Sequence, residues 1–491
     1  MKQLKTLSFL LAAATAAGIL AAYPAVQVSA DIAELTQSAE LLDTLYPFNT
    51  YLMRDNNENT YFCFAAGHTV TIACDQPITG ISMKFQKPSG GWTVTADDRT
   101  LEFGQQGYQH DFADVSELGA NRVTVTFSAP TDVAELRVFG EGELPDDVQV
   151  WQPCHEKADI ALFSTHNDDE HLFFLGLIPD ALARGKTIEV IYFANHYGEP
   201  IRMHELLNAL WKVGLRNYPV MGPFPDQYSE TLPAAKQNLA YAGFSYDSLI
   251  GYQVAMLRRF RPEIAVGHDI NGEYGHGQHR ANSDSLMNAV NLSGDPAYYP
   301  DSAAQYGAWD VPKTYIHLWG QNRLVMNYDI PLDYYGGKTA YQVSMEGYAC
   351  HNSQQYTWFT QWARGYAGAP ITAASQIGVY SPCIYGLYRS TVGPDTGIND
   401  MFEHIDTPRL GDADESGTVT AADAQMTLTE AAAIVSGNDP ACTDAQNKAA
   451  DVDLSGAVTA ADAQHILVYS VLNAVGGQSV PWENVLAGNY E

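Results

Sequence analysis

The sequence predicts an α/β domain with an all-β segment before it and a small α-helical segment after it. Three observations carry this. Short apolar runs alternate with amphipathic stretches of helical period through the middle of the chain, the pattern of a parallel sheet with crossover helices. Upstream, short β-branched runs are punctuated by Gly, Pro, Asn and Asp. Downstream, an acidic twelve-residue stretch occurs twice, each copy running into a helix-forming segment. The 491 residues are enough for several domains, and 46% hydrophobic with 17% charged residues is the composition of a globular chain.

Residues 1–30 read as a signal peptide. Lys2 and Lys5 form the basic start, Leu7 to Ala22 the apolar stretch, and Val28-Ser29-Ala30 the small-residue cleavage site. Export to an extracellular location is therefore expected, as a secreted protein. No later apolar run reaches the ~18 residues of a membrane span. The net charge of −31 argues against binding nucleic acid through its phosphates and suits calcium sites. Six cysteines are widely spaced with no CxxC pair. Cys63 and Cys74 flank an expected strand turn and could pair, since export permits disulfides.

Residues 31–150 are expected to form a β-sandwich. The runs at Val70–Ala73, Gly80–Phe85, Trp92–Thr95, Arg122–Phe127 and Glu135–Phe139 are its strands. The pattern resembles the galactose-binding-like jelly rolls that accompany many glycan enzymes. Both a structural sandwich and a carbohydrate-binding module fit it. Trp92 and Tyr108 would matter for binding only if they lined one exposed face.

Residues 151–405 are expected to be a Rossmann-like domain. Asp159–Ser164, Lys186–Phe193 and Pro262–Gly267 are its strands; Arg202–Val213 and the region Gln237–Phe260 are helical. Ligands bind outside the carboxyl ends of such strands. The first strand runs into Thr165-His166-Asn167-Asp168-Asp169-Glu170, the third into His268-Asp269-Ile270-Asn271-Gly272-Glu273-Tyr274-Gly275-His276-Gly277-Gln278-His279. Histidine and carboxylate from the first segment and histidine from the second can supply three ligands and leave the open position that a catalytic zinc needs. The adjacent carboxylate is left over as a base.

The pair HxDDE and GEYGHxxH resembles the PIG-L/LmbE-like family of zinc-dependent deacetylases. Thr165 and Asn167 stand where the family's AHPDDE motif has Ala and Pro, which touches loop stiffness more than chemistry. His351-Asn352-Ser353-Gln354 resembles that family's HxSQ segment. The resemblance implies one zinc ion held by His166, Asp169 and His279, with Asp168 as general base. It implies a protonated His276 as oxyanion stabiliser or proton donor, Tyr274 as a hydroxyl on the oxyanion, and Arg202 as a substrate contact. Glu170 is expected to steady a ligand histidine from behind, and His196 and His268 can line the pocket.

From Gly411 to Glu491 there are twelve acidic residues, and Lys448 is the one lysine or arginine. Asp412 to Asp423 recurs as Asp451 to Asp462, 39 residues on. Each copy sets oxygens at loop positions 1, 3, 5 and 12, Gly at 6 and a backbone carbonyl at 7, an EF-hand-like calcium geometry. The ligands would be Asp412, Asp414, Ser416, Thr418 and Asp423, then Asp451, Asp453, Ser455, Ala457 and Asp462. Two such loops, each followed by one helix, resemble a type I dockerin across 406–491. That likeness implies two calcium ions, a cohesin partner on a scaffoldin and membership of a cellulosome-like assembly, with Ala421-Ala422 and Ala460-Ala461 at the positions that choose the cohesin.

Taken together, these features lead us to expect a hydrolase that removes N-acetyl groups from N-acetylglucosamine-type sugars or glycans. An O-acetyl esterase of plant polysaccharide and a non-catalytic glycan-binding component are the alternatives.

Overall fold

The computed structural model describes residues 34–43, 50–405 and 409–490, apart from 415, 417, 439, 440, 477 and 479. The expected signal peptide lies outside the described residues. Among the described residues no helix is long and apolar enough to cross a membrane.

Nine strands come first: β1 (Glu40–Asp43), β2 (Phe62–Phe64), β3 (Thr69–Ala73), β4 (Gly80–Phe85), β5 (Trp92–Ala96), β6 (Arg99–Phe103), β7 (His110–Asp114), β8 (Arg122–Phe127) and β9 (Thr131–Phe139). They form two antiparallel sheets, β1-β3-β8-β5-β6 and β2-β9-β4-β7. The period-2 alternation puts Val70 opposite Val125 and Val94 beside it on one inner face. These residues share a core with Phe64, Ile81, Met83 and Phe85 of the other sheet. Cys63 points outward between the inward Phe62 and Phe64, while Cys74 follows β3 in the other sheet; both are free thiols, so the expected pairing does not occur.

Trp92 and Tyr108 do not line an exposed face. Trp92 is buried in the sandwich core, its indole donating to Asp111 Oδ2 at 3.0 Å. Trp92→Ala should destabilise this unit by about 3–5 kcal/mol, the usual cost of emptying so large a core position; chemical denaturation reads it. Tyr108 is also buried, stacked on Tyr218 at 4.4 Å.

The central sheet follows: β10 (Ile160–Ser164), α1 (Leu177–Ala183), β11 (Ile188–Tyr192), α2 (Pro200–Lys212), α3 (Leu232–Tyr241), α4 (Tyr246–Phe260), β12 (Ile264–Gly267), α5 (Gly277–Leu292), β13 (Lys313–His317), β14 (Arg323–Val325), α6 (Ala340–Tyr348) and β15 (Ile384–Ser390). The strand order is β11-β10-β12-β13-β15-β14. The first four strands are parallel, and β15 is antiparallel to both of its neighbours. Strand β10 is buried throughout because both faces are covered. Ile160 and Leu162 pack with Met203, Leu206 and Leu210 of α2, whereas Ala161 and Phe163 pack with Leu257, Phe260 and Leu286 of α4 and α5. The single helical region expected over 237–260 is two helices. Gly243, at φ 89°, ends the first, and Ser245 caps the second by accepting from the Ser248 amide at 2.9 Å.

The sandwich packs on α2 through polar groups. His110 Nε2 lies 2.8 Å from His204 Nδ1, and Lys84 Nζ bridges Glu58 Oε1 at 2.6 Å and Asn208 Oδ1 at 3.1 Å.

The C-terminal segment is helical: α7 (Ala421–Val435), α8 (Asp444–Ala450), α9 (Ala460–Ser470) and α10 (Trp482–Ala487). Val419, Ala424, Val452 and Ile466 form its small core, against which Tyr469 and Trp482 stack on each other at 4.1 Å.

Candidate metal centre and its surroundings

Two strand ends build the site. Beyond β10 the chain turns sharply: Asp168 sits at φ 154°, a conformation side-chain-bearing residues rarely hold. Beyond β12 the loop curls through Gly272, at φ 71°, where an added Cβ would come within 2.3 Å of the His276 carbonyl oxygen. Helix α5 then starts at Gly277 and carries Gln278 and His279 in its first turn. Asn282 of the same helix clips it to β10 by donating to the Ser164 carbonyl at 3.1 Å and to Thr165 Oγ1 at 2.9 Å.

This geometry brings three donor atoms to one point. His166 Nδ1 and His279 Nε2 are 3.1 Å apart, and each is 3.3 Å from Asp169 Oδ2. Ligand atoms at ~2.0–2.2 Å from a zinc ion are spaced about this far apart, so the donor set fits the metal. The distal nitrogens are held as ligand imidazoles require. Gln278 Oε1 faces His166 Nε2 at 3.1 Å, and Glu273 Oε2 faces His279 Nδ1 at 2.6 Å. Burial alone would raise the Asp169 carboxyl, but charge on His279 and His268 holds it well below the usual range. Burial likewise lowers His166, yet its contacts with Asp169 and Asp226 lift it to about 9. This is a buried anionic pocket that wants positive charge, supplied by protons or by a cation.

Asp168 is buried beside this face. Burial raises its carboxyl and Arg202 lowers it, for a net rise to about 6. Arg202 approaches Asp168 Oδ1 at 3.4 Å and Asp226 Oδ2 at 3.5 Å, so the structure ties it to two acids. His276 is the N-cap of α5, and its Nδ1 accepts from the Gln278 amide at 3.2 Å. An imidazolium has no lone pair for that bond. Burial, with His166 and His279 nearby, pushes His276 down to about 2, so it is neutral here and not protonated as expected. Its Nε2 hydrogen remains available to donate. The Tyr274 ring lies 5.7 Å from that of His276, and burial keeps its phenol protonated.

Glu170 does not back a ligand histidine. Its Oε2 accepts from the Asp168 amide at 3.1 Å, and its Oε1 faces His351. His196 contacts Asp226 at 3.2 Å; His268 is fully buried between Asp169 and Glu273. Ser353 donates from its amide and hydroxyl to Glu205 of α2 at 2.7 and 2.6 Å. Asp226, Glu273 and Gln278 are site residues the sequence reading did not assign. Glu273 and Gln278 lie inside the GEYGHxxH segment, whereas Asp226 follows the two-residue strand Phe224–Pro225, which has no local signal.

Among the described residues, the two C-terminal loops share the bonds made by their serine amides. In the first, the Ser416 amide donates to Asp412 Oδ1 and Asp414 Oδ1, each at 3.0 Å. In the second, the Ser455 amide does so to Asp451 Oδ1 and Asp453 Oδ1, each at 3.0 Å. Thr420 and Thr459 cap the helices that follow, and Asp423 and Asp462, in the first turn of each, accept from the threonine amides. Asp412, Asp414 and Asp423 converge as a possible ion site. The serine hydroxyls face the carbonyls of Thr418 and Ala457, both at 3.3 Å.

The fold and this site define an α/β domain with a His–Asp–His face at the carboxyl ends of its parallel strands. Residues 161–290 match the PIG-L family, described as GlcNAc-PI de-N-acetylase. Among curated relatives, a 1D-myo-inositol 2-acetamido-2-deoxy-alpha-D-glucopyranoside deacetylase of Geodermatophilus obscurus is 34% identical over 118 residues, 23% of this chain and 39% of that protein. A second protein of that description, from Saccharopolyspora erythraea, is 35% identical over 120 residues, 23% of this chain and 42% of that one. The chain thus spans less than half the length of these relatives. Among solved structures, N,N'-diacetylchitobiose deacetylase from Pyrococcus horikoshii aligns with 50% of this chain and 86% of its own, at 14% identity and a TM-score of 0.34.

Proposed function

We propose that the protein is a secreted, zinc-dependent deacetylase that hydrolyses the N-acetyl group of N-acetylglucosamine-type sugars or glycans. The supporting observation is the face made by His166, Asp169 and His279, with a buried, strained Asp168 beside it. Zinc bound there would lower the pKa of water and polarise the acetamide carbonyl. Asp168 takes the proton from the attacking water, and a hydroxide oxygen bonds to the carbonyl carbon. His276 Nε2–H and the Tyr274 hydroxyl donate to the oxygen on which charge develops. The Asp168 carboxyl then returns its proton to the nitrogen, the C–N bond breaks, and acetate and a free amine leave. Arg202, between Asp168 and Asp226, keeps the base oriented; it is a positioning residue first. Arg202→Ala should lower kcat about tenfold or more, and a drop in substrate affinity alone would return it to a substrate contact.

Acetate release from N-acetylglucosamine oligomers, with zinc and after chelation, tests the reading. Zinc-dependent release from the amide supports it. Release from acetylated xylan alone makes the protein an O-acetyl esterase, and release from neither favours a glycan-binding component.

The same proposal assigns residues 406–491 as a dockerin that holds two calcium ions and docks on the cohesin of a scaffoldin, placing the enzyme in a cellulosome. The duplicated loop bonding supports this. Removing calcium with EGTA should unfold the C-terminal segment, seen as lost helical circular dichroism, and abolish cohesin binding. Helicity unchanged by EGTA would argue against the calcium assignment.

A further inference from the structure

We propose a second transition-metal site, formed by Glu170, His171 and His351, behind the His166–Asp169–His279 face. It goes beyond the single-zinc reading and does not depend on the reaction. Glu170 and His171 belong to the short turn Asp169–His171 that follows the strained Asp168, and His351 follows α6. All three side chains are buried, with Glu170 1% exposed and both histidines 0%.

Five of their polar atoms make no hydrogen bond of sound geometry: Glu170 Oε1, both nitrogens of His171 and both nitrogens of His351, although Glu170 Oε1 and His351 Nε2 lie 3.3 Å apart and the Tyr192 hydroxyl also interacts with the Glu170 carboxylate. Buried imidazole nitrogens are almost always satisfied, because an unmet donor or acceptor costs about 1–3 kcal/mol. A metal ion would meet three of these five atoms, one nitrogen of each histidine and Glu170 Oε1, by accepting an electron pair from each, and leaves the second ring nitrogens as N–H donors.

The spacing selects a metal ion. His351 Nε2 is 3.3 Å from Glu170 Oε1, and His171 Nε2 is 3.8 Å from it. The three residues each offer one ligand atom within 4.8 Å of the others. The 3.3 Å edge is that of a ligand set at ~2.0–2.2 Å from a first-row divalent ion, and the 3.8 Å edge needs the His171 ring to close in by a few tenths of an ångström. Two imidazoles and one carboxylate, with no thiolate, suit zinc, iron or manganese. The site also reaches the first one, because Glu170 Oε2 accepts from the Asp168 amide at 3.1 Å. An ion on Oε1 would fix the Glu170 carboxylate and with it the backbone of Asp168.

Metal content tests this in the full chain, loaded with zinc at saturating calcium and freed of loosely held ions. Two tightly bound zinc equivalents are expected in the wild type, one in His351→Gln and one in His279→Gln. A crystal collected at the zinc edge should show anomalous density between Glu170 and His351 as well as at the first face, which keeps the test independent of whether either variant folds. One equivalent in the wild type, unchanged in His351→Gln, with density at the first face alone, would overturn the proposal. Density between Glu170 and His351 without scattering at the edge would identify a bound water and overturn it equally.

Discussion

Asp168→Asn should lower acetate release by about 10²–10⁴-fold, the usual worth of a positioned general base, while zinc content stays at the wild-type level. The amide keeps the size of the side chain and can still accept from Arg202, so the contact at 3.4 Å has a substitute and the turn need not rearrange. What it loses is the ability to take a proton from water. The pH dependence follows with a definite sign. Burial is the largest influence on Asp168 and raises it to about 6; Arg202 opposes that. The base works ionised, so activity should be lost as pH falls through that region. A dication beside it would lower the carboxyl further, so the acidic limb is expected at or below about pH 6 and not above it. Rates from pH 4 to 8 on an N-acetylated oligomer, with metal content measured at each pH, separate loss of the base from loss of the ion. A variant that keeps more than a tenth of the wild-type rate would remove Asp168 from the role of base and turn attention to the Asp226–His196 pair.

The parts of this architecture that were legible in the sequence are those where one physical requirement dominates. Strands β10 and β12 read as apolar runs because they are covered on both faces, leaving no polar position to blur the signal. The convergence of His166, Asp169 and His279 was legible because the residues cluster at strand ends, and the fold brings their side-chain atoms within 3.1–3.3 Å of one another. Edge strands were not legible: β6 buries little, and β2 is three residues long, so neither has enough pattern to read. The break between α3 and α4 was missed because helix-forming residues flank a glycine whose left-handed φ appears only in three dimensions. The neutral state of His276 depends on a helix cap, and the place of Asp226 on a distant loop; neither has a local sequence signature.

Glu273→Gln should weaken zinc binding about 10–100-fold, the usual effect of removing a carboxylate behind a ligand histidine. Glu273 is buried, and three imidazoles converge on it: His279 Nδ1 at 2.6 Å on one oxygen, with His317 Nδ1 at 2.9 Å and His268 Nδ1 at 3.1 Å on the other. Burial would raise this carboxyl, but the charges on His268 and His279 hold it well below its ordinary range. As an anion it accepts the His279 Nδ1 proton and so leaves the Nε2 lone pair for the metal. A glutamine amide presents N–H to at least one of these imidazoles, and a neighbour must flip its tautomer or lose its bond. If His279 flips, its ligand nitrogen carries the proton and zinc must displace it. Competition with a chromogenic chelator gives the affinity, and kcat at saturating zinc gives the rest. A positioning role predicts weaker binding with most of kcat recovered when zinc is in excess. Affinity equal to the wild type would show that His279 is oriented without Glu273, leaving the first turn of α5 and its Asn282 clip to β10 as the elements that aim it.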